Sequence, residues 1–194
     1  MRTDIVLFGI QWSGKWTQAN LLIKALKDYQ YFEPGNILRA LKSNDNVLWA
    51  HVRIAMDEGK MVDDEIIFGM FDIYQHLLKS GECMLVDGFM RSLPQMHYFL
   101  YQEYMHKRNL VGIHFDLSKE QAVERLTERG KKEWRSDDNE KAIEKRIFVY
   151  ETETIPVIDH LNKMGKLIRI DANQPVQKIF EDTIQALKNL DMLE

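Results

Sequence analysis

The sequence of 194 residues has one cysteine, a near balance of charge and no long apolar run. A lone cysteine, Cys83, cannot form an internal disulfide, and no pair of cysteines has the spacing of a zinc site, so we expect no structural zinc. The 26 basic and 30 acidic residues give no field that would hold nucleic acid, so any anion site must be local. The few apolar residues before Gly9 are too short for a signal peptide, and no later run could span a membrane. We therefore expect a cytoplasmic protein with no membrane or nucleic acid partner.

Proline is also scarce, and the sequence contains no internal repeat, low-complexity tract or linker. Together with a length that suits one well-buried domain, this predicts a single domain over residues 1–194. No apolar surface stripe stands out, so we expect a monomer. Short apolar runs alternate with long helical patterns, which predicts an α/β fold with a parallel sheet of five strands. The predicted strands are Ile5–Phe8, Tyr31–Phe32, Met84–Val86, Val111–Phe115 and Leu167–Ile170.

In the segments between the strands, apolar residues recur every three or four positions, which predicts helices there. Pro156 lies inside the longest of these patterns and should kink or split it, because proline lacks the N–H group that a helix interior needs. The predicted helices are Gln18–Lys27, Ile37–Leu41, Asp64–Leu78, Pro94–His106, Lys119–Arg129, Asp137–Lys163 and Val176–Leu190.

The clearest motif runs from Gly9 to Thr17 and reads Gly-Ile-Gln-Trp-Ser-Gly-Lys-Trp-Thr. It follows a predicted strand and precedes a predicted helix, which is the setting of a phosphate-binding loop. In such a loop, backbone N–H groups and a helix N-terminus converge on a polyphosphate, while the lysine, here Lys15, reaches its outer phosphates. The motif predicts a nucleotide-binding site but does not name a reaction.

A set of arginines that follows this loop in the sequence indicates which type of reaction the site carries out. Phosphoryl transfer between two polyanions needs several fixed cations, and the planar guanidinium group suits that role. Arg125 and Arg129 are four residues apart and therefore share one helical face. The arginines of the set are Arg39, Arg91, Arg125, Arg129, Arg135 and Arg146.

With these residues in view, the sequence resembles the adenylate kinases and their relatives among the nucleoside monophosphate kinases from end to end. The resemblance implies a P-loop three-layer α/β sandwich. It also implies reversible transfer of a phosphoryl group from MgATP to AMP, which gives two ADP. The matching blocks are Gly9–Gln18, Gly35–Ala40, Gly59–Val62, Val86–Gln95, Glu124–Gly130 and Arg135–Asn139, with Arg146.

The resemblance implies that Lys15 and the loop amides hold the β- and γ-phosphates of ATP, with Arg125 also close to the ATP base. Asp87, at the end of its strand, would fix Mg²⁺ through water. The residues implied at the ATP site are Gly9, Trp12, Ser13, Gly14, Lys15, Trp16, Thr17, Arg125 and Gln174. The residues implied to act in catalysis are Lys15, Arg91, Arg125, Arg129, Arg135 and Arg146.

On the acceptor side, the resemblance implies that Arg39 and Arg91 grip the phosphate of AMP. Gln95 stands where the family reads the acceptor base, and its amide offers one donor and one acceptor to the N1/N6 edge of adenine. Relatives that prefer UMP or CMP have asparagine at this position, so we favour AMP. The implied AMP-site residues are Pro34, Arg39, Met61, Val62, Gly88, Arg91, Gln95, Arg135 and Arg146.

The resemblance also divides the single domain. Its core would cover residues 1–33, 80–129 and 136–194, with helices that bind the nucleoside monophosphate at 34–79. A short lid would lie at 130–135, too short to bear zinc. Closure of the helices and the lid over the substrates would exclude water from the transfer step.

All four tryptophans, Trp12, Trp16, Trp49 and Trp134, stand where the family has glycine. We hypothesise that the source of the gene reads UGA as glycine and that the sequence was translated with UGA read as tryptophan; deliberate Gly→Trp engineering is the alternative. Trp12 and Trp16 would obstruct the phosphate loop. A second hypothesis is therefore that the chain is a nucleotide-binding homologue with impaired or no turnover. A third hypothesis is that it is a kinase for another nucleoside monophosphate.

Overall fold

The computed structural model describes residues 2–40, 46–129 and 140–190, without the side chains of residues 126–129 and 140. The strands of this part of the chain are β1 (Thr3–Phe8), β2 (Tyr29–Phe32), β3 (Cys83–Asp87), β4 (Asn109–Asp116) and β5 (Leu167–Asp171). The helices are α1 (Lys15–Ala25), α2 (Pro34–Ala40), α3 (Val47–Asp57), α4 (Asp64–Leu77), α5 (Leu93–Met105), α6 (Lys119–Arg129), α7 (Glu140–Val149), α8 (Ile155–Lys163) and α9 (Val176–Lys188). No helix within these ranges is both long and apolar enough to cross a membrane.

The strands form one all-parallel sheet in the order β2-β3-β1-β4-β5. Ile5 of the central strand β1 is paired with Leu85 of β3 on one side and with Val111 of β4 on the other. The strand order therefore reverses at β1. Parallel sheets of this kind bind ligands outside the carboxyl ends of their strands at such a reversal, which is where the loop after β1 lies. The prediction of a five-stranded parallel sheet is confirmed.

Each face of the sheet carries its own apolar cluster, because successive strand residues point to opposite faces. Ile5 and Leu7 belong to the cluster that includes residues of α1 and α9. Val6 and Phe8 belong to the cluster that includes residues of α4, α5 and α8. Helices thus cover both faces of the sheet, in the three layers that the family resemblance implies.

Helix α3 is the element that the sequence pattern does not predict. Val52 and Met56 are its buried residues, while its other apolar residues include the exposed Leu48 and Ile54, so the apolar side chains do not keep to one face. Its start is fixed instead by Asn46, whose side chain accepts a hydrogen bond from the backbone N–H of Trp49 at 2.8 Å. Such an N-cap satisfies a backbone donor that the first helical turn leaves unpaired.

The long helix predicted over residues 137–163 is divided in the described part into α7 and α8, with a π-helical turn at Tyr150–Thr154 between them. Pro156 lies in the first turn of α8. The helix is therefore interrupted directly before this proline, which is expected from the sequence to kink or split it. The wider turn presents Tyr150 and Thr154 to a cavity at the carboxyl end of the sheet. Local π-helical turns of this kind are frequent at functional sites.

Candidate active site

The loop after β1 is a tight turn that leads into α1. The backbone N–H of Ser13 donates to the carbonyl oxygen of Ile10 at 3.1 Å, and Gly14, at a φ of 85°, is the N-cap residue of α1. A Cβ at Gly9 would lie 2.5 Å from the Ser13 hydroxyl oxygen, so the turn has no room for a side chain there. Among the described residues no side chain caps α1, and its first turn has no acidic residue. The N-terminus of α1 can therefore receive an anion.

Lys15 and Asp87 meet beside this loop. Nζ of Lys15 lies 3.1 Å from Oδ1 of Asp87, whose side chain is 5% exposed. The hydroxyl of Tyr31 lies 3.2 Å from Oδ2 of Asp87 and 3.1 Å from a carboxylate oxygen of Glu33. Burial, together with the charges of Asp87 and Glu33, raises the pKa of Tyr31, which keeps its hydroxyl a neutral donor. Sequence reasoning missed Tyr31, because its contact with Asp87 joins two strands that are far apart along the chain.

Three of the arginines singled out in the sequence, Arg39, Arg91 and Arg146, line one cavity at the carboxyl end of the sheet. A second cavity contains Lys15 and again Arg91 and Arg146. The two cavities therefore adjoin, and these two arginines lie between the pocket and the phosphate loop. The other predicted AMP-site residues among the described ones line the first cavity too; they are Pro34, Met61, Val62, Gly88 and Gln95.

Positive charge is concentrated around this pocket. The surrounding protein desolvates the Arg91 guanidinium and lowers its pKa; the nearby charges of Arg146 and Arg39 act in the same direction, while Asp87 opposes them. Nη2 of Arg39 lies 3.1 Å from Glu33, and Nη2 of Arg146 donates to the carbonyl oxygen of Met56 at 3.2 Å. An anion in the pocket would relieve the repulsion among the three guanidinium groups.

Gln95 is held at two points in the wall of the pocket. Its side chain is almost fully buried, with 3% of the residue exposed. Oε1 of Gln95 accepts a hydrogen bond from the backbone N–H of Arg91 at 2.8 Å, and Nε2 donates to Oδ1 of Asp64 at 2.8 Å. Sequence reasoning missed Asp64, which lies in the first turn of α4, where an acidic residue is ordinarily explained by the helix dipole alone.

Arg125 joins the loop after β1 to the loop after β5. Its Nη2 donates to the carbonyl oxygen of Ala172 at 2.6 Å, and its Nη1 lies 3.4 Å from the carbonyl oxygen of Trp12. Gln174 lies two residues beyond Ala172, and its amide donates to the carbonyl oxygen of Asp171 at 3.0 Å. The structure thus brings Arg125 and the segment around Gln174 to the phosphate loop.

The two tryptophans of the loop region differ from each other in backbone and exposure. Trp12 has a φ of 64°, in the left-handed region that favours glycine, and its half-buried indole packs against the apolar cluster around Ile5. Trp16 lies in the first turn of α1 and is 57% exposed. Neither indole lines either of the two cavities. That these indoles obstruct the phosphate loop stays a prediction, and the positive φ of Trp12 adds backbone strain as a second effect on the loop.

Part of the predicted site lies outside the described residues. This holds for the lid at 130–135 with Arg135 and Trp134, and for the side chain of Arg129. No group of three or more His, Cys, Asp or Glu side chains that could hold a metal occurs in the described ranges. Mg²⁺ at nucleotide sites is usually bound by one or two carboxylates together with phosphates and water, and the buried Asp87 carboxylate beside Lys15 fits that pattern.

The family model described as adenylate kinase matches residues 7–166 of the chain. The chain belongs to the adenylate kinase family.

Relatives of the chain include members with different names. It is 34% identical over 186 residues to an adenylate kinase of Corynebacterium urealyticum, which covers 94% of this chain and 98% of the relative. It is 30% identical over 188 residues to an adenylate kinase of Bacteroides fragilis, with 96% and 99% covered. It is also 31% identical over 181 residues to UMP-CMP kinase 1 of Oryza sativa, with 93% and 72% covered. Membership of the adenylate kinase family supports a nucleoside monophosphate kinase and leaves the acceptor base open.

Proposed function

We propose that the chain transfers the γ-phosphoryl group of MgATP to AMP and forms two ADP. The observation that supports this best is the sharing of Arg91 and Arg146 between the pocket that contains Arg39 and the cavity that reaches Lys15. A nucleotide phosphate in the pocket would face the phosphate loop across these two cations. That is the charge arrangement required for transfer between two polyanions.

On the donor side, the N–H groups of the loop Gly9–Gly14 and the N-terminus of α1 would bind the phosphates of ATP, with Lys15 at the outer ones. Lys15 lies beside Asp87. Once Lys15 turns to the phosphates, the Asp87 carboxylate would be left to hold Mg²⁺ through water. The bound ion would supply neutralisation of charge on the phosphate oxygens. Arg125 and Gln174 would lie toward the ATP base, and Ser13, Thr17, Trp12 and Trp16 complete the proposed ATP site.

On the acceptor side, Arg39 and Arg91 would bind the phosphate of AMP and orient one of its oxygens toward the γ-phosphorus of ATP. This oxygen forms the new bond to phosphorus as the bond to the β,γ-bridging oxygen breaks, so both products are ADP. Charge spreads over the transferred group in this step, and Arg91 and Arg146 would stabilise it from between the two cavities. From the family resemblance we propose the same role for Arg129 and Arg135.

Water must be excluded for the phosphoryl group to reach AMP instead. We propose that residues 34–79 and the short lid at 130–135 close over the core of the domain to do this. In the described part, the hydrogen bond from Arg146 to Met56 joins α7 to the end of α3. A Cβ at Gly59 would lie too close to the carbonyl oxygen of Ala142 for any side chain, which also supports close contact between these regions.

Two specific observations favour other functions. The φ of 64° at Trp12 favours a nucleotide-binding homologue with reduced turnover, because strain in the loop would weaken its grip on phosphates. The relative named UMP-CMP kinase 1 favours a different acceptor. Gln95 supports AMP over UMP through the hydrogen-bonding pattern of its amide.

A coupled assay of ADP formation separates the three functions. The chain and its Trp12→Gly, Trp16→Gly form would be given MgATP with AMP, CMP, UMP, GMP or dTMP in turn. We expect ADP formation with AMP above all other acceptors, and faster turnover by the glycine form. Binding of ATP and AMP without turnover by either form would favour the binding homologue, and a preference for CMP, UMP, GMP or dTMP would refute the AMP proposal.

We also propose that the protein acts as a cytoplasmic monomer on small-molecule substrates. The proposed site is assembled within one chain and needs no residue from a second copy. Light scattering during size-exclusion chromatography, with and without nucleotides, tests the monomer: a mass near 23.0 kDa is expected, and a stable mass of twice that value would contradict it.

A further inference from the structure

The side-chain amide of Gln95 has only one orientation that satisfies its neighbours. A backbone N–H, here that of Arg91, can donate but not accept, and an ionised carboxylate, here that of Asp64, can accept but not donate. Oε1 of Gln95 therefore faces Arg91, and Nε2 faces Asp64, at 2.8 Å each. Turning the amide over would set two donors against each other and two acceptors against each other. Both bonds would be lost at a position where 3% of the residue is exposed, which is costly for buried polar groups.

The fixed amide of Gln95 has hydrogen-bonding groups left for a ligand. One N–H of Nε2 and one lone pair of Oε1 are left for a ligand in the pocket that Gln95 lines. The two groups match a base edge on which a ring nitrogen acceptor lies beside an exocyclic amine. Adenine has that edge at N1 and N6, and cytosine has it at N3 and N4. Hypoxanthine, guanine and uracil present the reverse pattern, a ring N–H beside a carbonyl oxygen.

We propose that Asp64 is a positioning residue for acceptor selection: by holding the Gln95 amide in one orientation, it makes the pocket accept bases with a ring acceptor beside an amine and reject bases with the reverse edge. The proposal rests on the proposed function, because it concerns the acceptor site of that reaction. Asp64 acts through Gln95 and is not required to touch the base. A site whose polar groups are fixed in this way discriminates well, since the wrong base leaves buried groups unpaired.

The alternative role of Asp64 is purely structural. It lies in the first turn of α4, as does Glu65, and a carboxylate there stabilises the helix through the dipole. Glu65 is exposed and has no bond to Gln95, so Glu65→Ala is the matched control. It removes the same charge from the same helical turn and leaves the amide orientation fixed.

The experiment is calorimetric titration of the full chain with nucleoside monophosphates in the absence of ATP, which does not require a functioning phosphate loop. AMP and IMP have equal size and differ only at the edge in question, and CMP and UMP form a second matched pair. We expect AMP and CMP to bind the unmodified protein more tightly than IMP and UMP. Asp64→Ala should reduce both affinity ratios about tenfold, which corresponds to one buried hydrogen bond. Glu65→Ala should leave the ratios unchanged, and Asp64→Asn, whose amide oxygen can still accept from Gln95, should keep most of the discrimination.

The other outcomes would contradict either the role of Asp64 or the acceptor site itself. If Asp64→Ala weakens AMP and IMP by the same factor, Asp64 is structural and the inference is wrong. If the unmodified protein binds AMP and IMP equally, the inference is wrong while the proposed function stands. If it binds neither, the acceptor site itself is wrong and the proposed function fails with it. Should Asp64→Ala not fold, as judged by circular dichroism, Asp64→Ser takes its place, because serine favours a helix start but is too short to hold the amide.

Discussion

Both ends of the parallel sheet contain an arginine, but Arg108 at the amino end contacts a buried carboxylate, whereas Arg91 at the carboxyl end faces a cavity. At the amino end, Arg108 and Asp4 are 7% and 0% exposed. Nε of Arg108 donates to Oδ2 of Asp4 at 2.8 Å, and the N–H of Met84 donates to Oδ1 of Asp4 at 2.6 Å. At the carboxyl end, the guanidinium of Arg91 lines two cavities and has no ion pair among the described residues.

The pKa values of the two arginines shift in opposite directions. Burial disfavours the charge of Arg108, but the hydrogen bond and the charge of Asp4 outweigh it and raise its pKa. Desolvation lowers the pKa of Arg91, and the neighbouring Arg146 and Arg39 lower it further. A charge with its partner in the fold serves stability, while a cluster of like charges in a cavity is stabilised by a ligand of opposite sign. A substitution at the amino end should therefore change the unfolding free energy, and a substitution at the carboxyl end should change ligand binding.

Arg108→Met tests the amino end and should have the largest effect. Removal of one partner leaves the buried Asp4 carboxylate unpaired, which typically costs about 3–5 kcal/mol of unfolding free energy. Affinity for AMP should not change. Arg169→Met is the control, since Arg169 is 45% exposed where it approaches Asp116, and such pairs contribute about 1 kcal/mol or less. Urea unfolding measures both; an equal loss in the two variants would contradict the contrast.

Arg91→Met tests the carboxyl end, where we expect the reverse result. Loss of charged hydrogen bonds, each worth about 1.5–3 kcal/mol, should weaken AMP binding about 100-fold. The unfolding free energy should stay level or rise, because a desolvated cation is removed. Arg53→Met, at an exposed position of α3, is the control for the loss of one positive charge. Calorimetry and urea unfolding on the same samples check the pair of effects, and a large loss of stability without a loss of affinity would contradict them.

Glu103, which lies beside Arg108, makes the stability of the fold depend on pH. Burial first, and then the charge of Asp4, raises the pKa of this carboxyl well above its usual range in the fold. The folded protein therefore keeps a proton that the unfolded chain releases above its ordinary glutamate pKa. The stability from this group is complete at low pH and declines as pH rises toward the folded pKa, by up to about 1.4 kcal/mol per pH unit.

Glu103→Gln should remove that decline. The variant should gain stability relative to the unmodified protein as pH rises from 5 to 8, whereas the exposed control Glu65→Gln should run parallel to it. Urea unfolding at three pH values provides the curves. Parallel curves for Glu103→Gln would show that Glu103 is ionised in the fold.

Trp12→Gly should have the smallest effect on the unfolding free energy, and whether that free energy rises or falls tests for backbone strain at Trp12. At a φ of 64° glycine relieves about 1 kcal/mol of strain, so the variant should be more stable and should bind ATP more tightly. Trp16→Gly should instead lose about 0.5–1 kcal/mol, because glycine weakens a helix. Thermal unfolding and ATP titration compare the two variants, and a change in stability of the same sign in both would contradict the strain at Trp12.

The codons for the four tryptophans test the UGA hypothesis separately, since UGG at these positions would refute it.

The sequence predicted the sheet and the phosphate loop because both depend on local patterns: apolar runs such as Ile5–Phe8, and the glycine and lysine spacing that follows them. Helix α3 escaped prediction because its apolar residues occupy more than one face. Tyr31 and Asp64 escaped because each acts on a residue far away along the chain, Asp87 in one case and Gln95 in the other. Such contacts leave no periodic signal, and an acidic residue at a helix start has an adequate local explanation.

We propose that the cations at the carboxyl end of the sheet serve two nucleotides at once. Phosphorus NMR of the Trp12→Gly, Trp16→Gly form with one equivalent each of MgATP and AMP tests it most directly. We expect that ATP and AMP disappear together, that ADP appears at twice the rate at which ATP is lost, and that Arg91→Met in the same background abolishes the exchange. Release of inorganic phosphate with AMP untouched, or no ADP although both nucleotides bind, would contradict it.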